Sequence, residues 1–339
     1  MDIQTESALS VNTDSIRARA LREKFDSRED YLYRTIGIIC CVQSFLNFLT
    51  MSTFSKATFK AAGYLSARPT YPKSLYDYIY QYNRKHNGSE TSSTLCIDIG
   101  CGPGEATRDL GKYFDSVVGV EPSQVMIEAG NNARADSGEK TNIQFVRGDD
   151  TSFESLFPAK SVDVIASAQA AHWFKYPDFL DAAHRVLKPN GTLAIWGYVD
   201  HVFVGHPEAS RISLEYAYGN SHMGPYWEQV GRNRLRAMYA ETVGPMKDNF
   251  FDIEKFDNTN LDLTPGEVFD MSKTTSLRNV KDYMKTYSAY HNWKHDHPQD
   301  PDVADECFEA IKSAERWTDS TEVTIKWNTV LLLATNNRH

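Results

Sequence analysis

Cysteine is scarce in this chain, with five residues among 339: Cys40, Cys41, Cys96, Cys101 and Cys307. An odd number at irregular spacing does not fit a disulfide framework. No cysteine lies near histidines at the spacing of a zinc site, so the sequence predicts no bound metal. Because free thiols are typical of reducing compartments, we expect a cytoplasmic protein.

The chain also lacks an excess of positive charge. It has 36 Lys and Arg against 45 Asp and Glu, a net charge of −9 at pH 7. Such a surface repels phosphates, which argues against nucleic acid as the main partner. Aromatic residues make up 12% of the chain. That content favours a pocket for a small organic molecule, although packing beneath helices would use the same residues.

No hydrophobic run is long enough to cross a bilayer. The longest candidate, residues 36–49, has fourteen residues, three of them polar. It also lies too far from the start to be a signal peptide. Three interpretations of the extension 1–50 stay open: an added helix that packs on the domain, a membrane-surface anchor through 36–49, or a translated extension before a second start at Met51. The sequence makes no prediction about oligomeric state.

Short apolar runs alternate with helical patterns from residue 74 onward. The predicted strands are Leu95–Gly100, Ser116–Glu121, Ile143–Val146, Val162–Ser167 and Thr192–Trp196. This rhythm is typical of βαβ units, so we expect an α/β protein with a parallel sheet and helices on both faces. Residues 51–199 form the predicted core and 200–320 a helical cap insertion, in which Phe251–Phe256 is a candidate strand. Two terminal strands within 321–339 are expected to complete the sheet.

The turn after the first strand carries the strongest signal. Gly100, Gly102 and Gly104 alternate there, which lets the backbone approach a ligand closely. A dinucleotide fingerprint would need a third glycine at residue 105 or 107. Glu105 and Thr107 occupy those positions, so a nicotinamide-dependent oxidoreductase is disfavoured.

Carboxylates follow three of the predicted strands. Asp98 suits a ligand that carries an ammonium group, and Glu121 can accept two hydrogen bonds from a ribose diol. Asp149 and Asp150 can each accept a hydrogen bond from an exocyclic amine. Carboxyl ends of parallel strands meet at one edge of the sheet, so these groups should converge. Ammonium, diol and adenine amine together describe S-adenosylmethionine (SAM).

The glycine turn with Asp98 and Glu121 resembles the first motifs of the class I SAM-dependent methyltransferases. Further stretches resemble the fungal trans-aconitate methyltransferases, and together these cover roughly residues 51–335. They include Arg68-Pro69, Ala171–Phe174, Ala194–Tyr198, Gly224–Glu228, Arg232–Arg236 and Trp327–Thr329. The resemblance implies a Rossmann-like, seven-stranded, mostly parallel sheet. Tyr64 and Ser167 complete the expected cofactor-binding set.

The same resemblance implies methyl transfer to a carboxylate of a small polycarboxylic acid such as trans-aconitate or 3-isopropylmalate. An ionised carboxylate needs no general base. His172, after the fourth strand, is the candidate catalytic residue, as a hydrogen-bond donor or as a base for a hydroxyl acceptor.

A polycarboxylate would need cations in the acceptor pocket, and Arg binds carboxylates in bidentate fashion. Arg232 and Arg236 share a helix face and are preferred over Arg234, which should point away. Arg68 is an alternative clamp. The expected aromatic walls of the pocket are Trp173, Trp196, Tyr198, Tyr226 and Trp227.

Two alternatives remain. The acceptor could instead be a lipid, a xenobiotic or a hydroxylated small molecule, and 36–49 gives the lipid some support. The chain could also be a non-catalytic module that binds SAM.

Overall fold

The computed structural model describes residues 68–87, 94–137, 142–257 and 270–337. The extension 1–50, its apolar segment 36–49 and Tyr64 lie outside the described residues. Within the described ranges, no helix combines the length and apolar character that crossing a membrane requires.

One mixed sheet of eight strands runs through the described part of the chain. Its strands are β1 Leu95–Ile99, β2 Ser116–Glu121, β3 Ile143–Arg147, β4 Val162–Ala168, β5 Leu187–Phe203, β6 Phe250–Asp257, β7 Ser272–Ser276 and β8 Glu322–Asn336. The order is β3-β2-β1-β4-β5-β8-β6, and β7 also pairs with β8. Strands β1 to β5 pair in parallel, whereas β8 is antiparallel to β5, β6 and β7. The predicted mostly parallel α/β sheet is confirmed, with β7 in addition to the seven strands of the main order.

Helices alternate with the strands of the first half and dominate the second. They are α1 Lys73–Asn87, α2 Glu105–Leu110, α3 Gln124–Ser137, α4 Asp178–Val186, α5 Pro207–Tyr218, α6 Gln229–Arg236, α7 Val243–Asn249, α8 Leu277–Met284, α9 Ser288–Asp296 and α10 Val303–Glu315. Short 3₁₀ turns span Phe153–Leu156, Ala171–Trp173 and Gly224–Tyr226.

Successive side chains of a strand point to opposite faces of the sheet, and both faces are buried. Ile97 of β1 and Ile165 of β4 face one core, which α4 and α7 cover. Cys96 of the same β1 faces the other core, which α1 and α2 cover. Burial on both faces explains why these strands read in the sequence as continuous apolar runs rather than as alternating ones.

A third core forms where β5 and β8 continue past the end of β4. Beyond the Ala168–Trp196 pair, β5 has β8 as its partner, from Gly197 opposite Val330 to Phe203 opposite Ile325. Side chains of α5, α8 and α10 pack on this extension. These helices lie in the region expected to be a cap.

The structure differs from the predicted elements in three places. Strand β5 extends to Phe203 rather than ending at Trp196. The two expected terminal strands are one strand, β8. Within the segment 200–320, β6 corresponds to the candidate strand Phe251–Phe256, whereas β7 was not expected, and both pair with β8.

The strand order creates a crevice at the carboxyl end of β1. From β1 the chain proceeds outward through β2 and β3, and then returns to place β4 on the opposite side of β1. Open α/β sheets bind ligands where the order reverses in this way. The glycine turn and the turn Ala171–Trp173, which follow β1 and β4, flank this crevice.

Candidate active site

The glycine turn depends on left-handed backbone conformations. Gly100, Gly102 and Gly104 have φ of +72°, +55° and +82°, which a residue with a side chain adopts only under strain. A Cβ on Gly100 would come within 2.5 Å of Ala170, and a Cβ on Gly104 within 2.3 Å of the Phe145 ring. A Cβ on Gly102 would meet nothing within 4 Å. The turn therefore packs tightly against neighbouring side chains at Gly100 and Gly104 and has open space at Gly102.

Glu121 holds this turn in place from the end of β2. Its two carboxylate oxygens accept hydrogen bonds from the backbone N–H groups of Gly102 and Ser123, both at 3.0 Å. Burial raises the pKa of Glu121. A carboxylate offers about four lone-pair positions, so it can still accept bonds from a ligand.

Asp98 is fully buried at the end of β1. One oxygen accepts a hydrogen bond from Thr107 Oγ1 at 2.7 Å, and the other makes none with the described residues. Burial, with the charge of Glu121 adding to it, raises the pKa of Asp98 to about 7. Burial also raises the pKa of Glu105 to about 7. A buried carboxylate oxygen beside further acids suits a cationic ligand, because a cation would relieve the desolvation cost.

The remaining predicted cofactor residues serve the local structure to different degrees. Asp149 Oδ1 closes a turn by accepting bonds from the N–H groups of Thr151 and Ser152. Asp150 accepts a bond from the N–H of Lys175 at 2.7 Å. Ser167 donates to the carbonyl of Ile99 at 3.0 Å, which ties β4 to β1.

A narrow cavity lies beside the turn after β4. About 50 Å³ of it is accessible to water-sized molecules, and the space counted out through its open mouth is about 510 Å³. It brings together six of the predicted residues, namely Arg68, His172, Trp173, Tyr198, Trp227 and Arg232. Gln169, Val199, Leu235, Tyr283, Tyr287 and Ser288 complete its lining. The cavity thus has two guanidinium groups among aromatic walls.

Both cavity arginines are held by the protein. Arg232 pairs with Asp200 at 2.5 Å and donates from Nε to the Tyr218 hydroxyl at 2.8 Å. Its guanidinium also lies 4.2 Å from the centre of the Trp227 ring. Arg68 donates to the Tyr198 hydroxyl at 3.2 Å and to the carbonyl of Thr286 at 3.0 Å. Fixed guanidinium groups bind carboxylates at little cost in side-chain entropy.

His172 is buried next to these cations. Its Nδ1 lies 3.3 Å from the Tyr239 hydroxyl. Burial lowers its pKa to about 3, with the positive charges of Arg232, Arg234 and Arg68 contributing. The imidazole is therefore neutral at physiological pH and is a hydrogen-bonding group but a weak base.

Three predicted acceptor residues do not line the cavity. Trp196 is 1% exposed, and its ring packs edge-on against Tyr76 beneath α1. Tyr226 bonds to His297 at 2.6 Å. Arg236 is 46% exposed and lies 3.5 Å from Asp200, although it shares a helix face with Arg232.

Arg234, which was expected to point away from the face of Arg232, does not line the cavity. It donates to the carbonyls of His172 and Phe174 at 3.0 and 2.9 Å, and so ties α6 to the turn after β4. Tyr283 and Tyr287 line the cavity as well, but the sequence showed them only as part of a helical apolar stripe. Gln169 lies in the candidate stretch after the fourth strand and lines the cavity, but it was not among the predicted site residues.

Comparisons with known proteins identify the class. The model of the methyltransferase domain family matches residues 97–195, from β1 into β5. The probable S-adenosylmethionine-dependent methyltransferase CRG1 of Saccharomyces cerevisiae is 27% identical over 291 residues, which cover 83% of this chain and 97% of that protein. A proposed methyltransferase of Dictyostelium discoideum is 30% identical over 267 residues, which cover 78% and 88%.

A solved structure agrees at the level of the fold. A proposed type II methyltransferase from Anaeromyxobacter dehalogenans has a TM-score of 0.59 at 19% identity, covering 80% of this chain and 99% of that one. The family match and the relatives above show that the chain belongs to the SAM-dependent methyltransferases, and its cofactor is SAM. In the described ranges, no group of three or more His, Cys, Asp or Glu side chains is placed to hold a metal ion.

We predict that Asp98→Asn changes SAM binding and stability in opposite directions. The folded protein keeps a proton on Asp98 that the unfolded chain releases from about pH 4 upward, so the wild type loses stability as the pH rises towards 7. The variant lacks this loss. In urea titrations without SAM it should exceed the wild type by about 2–4 kcal/mol at pH 8, with a smaller margin at pH 5.

Calorimetry should show that the same variant binds SAM at least about 10-fold more weakly. The exposed Asp248→Asn variant serves as the control and should match the wild type in both assays. Parallel pH–stability curves for the wild type and Asp98→Asn would contradict the assignment of a buried, protonated Asp98.

Proposed function

We propose that this methyltransferase esterifies a carboxylate of a small polycarboxylic acid, with trans-aconitate or 3-isopropylmalate as the model acceptor. The observation that carries the proposal is the cavity in which Arg68 and Arg232 surround a neutral His172. Guanidinium groups stabilise the charges of such an acceptor. Their field also disfavours a general base, which a carboxylate does not need.

The crevice at β1 would hold the cofactor. Asp98 would offer its second oxygen to the ammonium group, Glu121 would accept hydrogen bonds from the ribose diol, and Asp150 would accept one from the adenine amine. The open space at Gly102 lets the ligand lie against the backbone. When bound, SAM supplies an electrophilic methyl group on a positively charged sulfur.

The residues of the acceptor cavity would then orient the nucleophile. Arg68 and Arg232 clamp the carboxylates that do not react, and His172 donates a hydrogen bond that fixes the reacting one. Positioning of this kind can contribute about 7–11 kcal/mol at best. On this proposal residues 51–199 bind the cofactor and also contribute Arg68, His172 and Tyr198 to the acceptor cavity, and 200–320 complete that cavity through Trp227, Arg232, Tyr283 and Tyr287.

The product identifies the acceptor group. We expect incubation with methyl-labelled SAM and a panel of di- and tricarboxylates to give products one methyl group heavier by mass spectrometry. Mild alkali should release the label as methanol, because esters hydrolyse and ethers do not. A matched panel of hydroxylated compounds without carboxylates should stay unlabelled. Alkali-stable label would establish a different acceptor group, and SAM binding without product would indicate a binding module.

Replacement of His172 tests the absence of a base. His172→Asn retains a hydrogen-bond donor, so we expect kcat/KM for the carboxylate to fall by less than about 10-fold, against 10²-fold or more for loss of a general base. Wild-type kcat at saturating SAM should show no inflection from His172 between pH 5 and 8, because its pKa lies near 3. A rate that falls on acidification with an inflection near pH 6.5, and that disappears in the variant, would refute this role.

Arg232 and Arg236 form a matched pair on one helix. Arg232 lines the cavity, whereas Arg236 lies outside it. We expect Arg232→Gln to raise the KM for a tricarboxylate by about 10-fold or more, since a charged hydrogen-bonding partner is lost. Arg236→Gln should stay within about 2-fold. Equal effects from the two variants would mean that Arg232 only supports the fold.

A further inference from the structure

Gln169 occupies an unusual position at the end of β4. Its φ of +55° is left-handed, and its backbone N–H donates to the carbonyl of Trp196 at 2.8 Å. Its side-chain amide makes two bonds to one residue of β5. Oε1 accepts from the N–H of Tyr198 at 2.7 Å, and Nε2 donates to the carbonyl of Tyr198 at 2.8 Å.

Through these bonds the Gln169 side chain takes the place that the next backbone peptide of β4 would have in the sheet. The parallel ladder between β4 and β5 ends at Ala168 and Trp196, and the Gln169 amide then pairs with Tyr198 as a further peptide unit would. A Cβ on Gly197 would lie 2.6 Å from Oε1 of Gln169, so the glycine makes room for the amide. The backbone is then free to turn away and form the turn that carries His172.

The Gln169 side chain also lies at the acceptor cavity. Gln169 lines the same cavity as Arg68 and Arg232, and Tyr198, which it holds, accepts a hydrogen bond from Arg68. The two bonds to Tyr198 require one acceptor and one donor, which a neutral amide provides. An ionised acid cannot donate, and its charge would lie opposite a carbonyl and face the incoming acceptor.

We propose that Gln169 is a positioning residue that allows the cavity to accept a polyanion, because its neutral amide fixes Tyr198 and adds no negative charge. This inference rests on the proposed function. It extends that function by naming a residue that excludes or admits anionic acceptors without contacting the reacting atoms.

Gln169→Glu tests this through a titration, since a protonated glutamic acid can make both bonds and a glutamate cannot. With trans-aconitate and saturating SAM, we expect the KM of the variant at pH 7.5 to exceed that of the wild type by about 10-fold or more. This ratio should fall towards one as the pH is lowered to 5.5. Gln169→Met, which has similar size and no charge, should raise the KM by an amount that does not change with pH.

The groups that line the cavity do not titrate in this window. Glu105, whose charge interacts with Arg68, and Asp98 both have a pKa of about 7, but they are present in all three proteins, so the ratio to the wild type removes their effect. Arginines stay charged, and His172 stays neutral because its pKa lies near 3. Burial raises the pKa of Tyr283 and Tyr287. Protonation of the acceptor itself affects all three proteins alike, so the ratio to the wild type at each pH removes it. SAM affinity, measured by calorimetry, should stay within about 2-fold of the wild type.

Several results would overturn the inference. A wild-type KM for Gln169→Glu at pH 7.5, or an increase that is independent of pH, would show that the charge at 169 has no part in acceptor selection. Equal losses of melting temperature and SAM affinity in both variants would assign Gln169 to fold maintenance alone. Absence of wild-type turnover with any carboxylic acid would instead reject the proposed function, a separate outcome because it precedes the comparison of variants.

Discussion

The antiparallel ladder between β5 and β8 is the interaction on which the rest of the structure depends. It runs from Thr192 opposite Thr335 to Phe203 opposite Ile325. The part up to Trp196 completes the two cores on the faces of the parallel sheet, and the part from Gly197 onward extends past that sheet and carries the third core. The ladder, whose register shifts between Tyr198 and His201, therefore places Tyr198, Val199 and Asp200 beside the carboxyl end of β4.

The two regions of the site differ in charge. Acids gather at the crevice of β1, where Asp98, Glu105 and Glu121 have raised pKa values. Arginines gather on the other side of the turn after β4. A cationic cofactor suits the first region and an anionic acceptor the second, so each ligand reduces the desolvation cost of the groups that face it. The net charge of −9 does not reveal this difference between the two regions, because the difference depends on which residues the fold brings together.

The sequence predicted what local signals determine. Buried apolar runs and the three glycines fixed β1 to β4 and the cofactor class. It failed where distant partners decide. Strand β5 extends to Phe203 because β8, more than a hundred residues later, pairs with it. The partners of two arginines were equally hidden from local signals: Arg232 pairs with Asp200 on that extension, and Arg234 donates to a carbonyl after β4. Trp196 was predicted to line the acceptor pocket, but its ring packs beneath α1 instead.

Acceptor charge and the need for a base are linked by a single constraint. Cations that bind a polycarboxylate also lower the pKa of any imidazole beside them, because they oppose its protonation. A cavity built for a hydroxyl acceptor needs a base whose pKa lies near the working pH, and burial of His172, together with the arginines around it, prevents this. A carboxylate acceptor removes the conflict, since it is already ionised. On the proposed function, the arginines thus serve binding without cost to the chemistry, which positioning alone accomplishes.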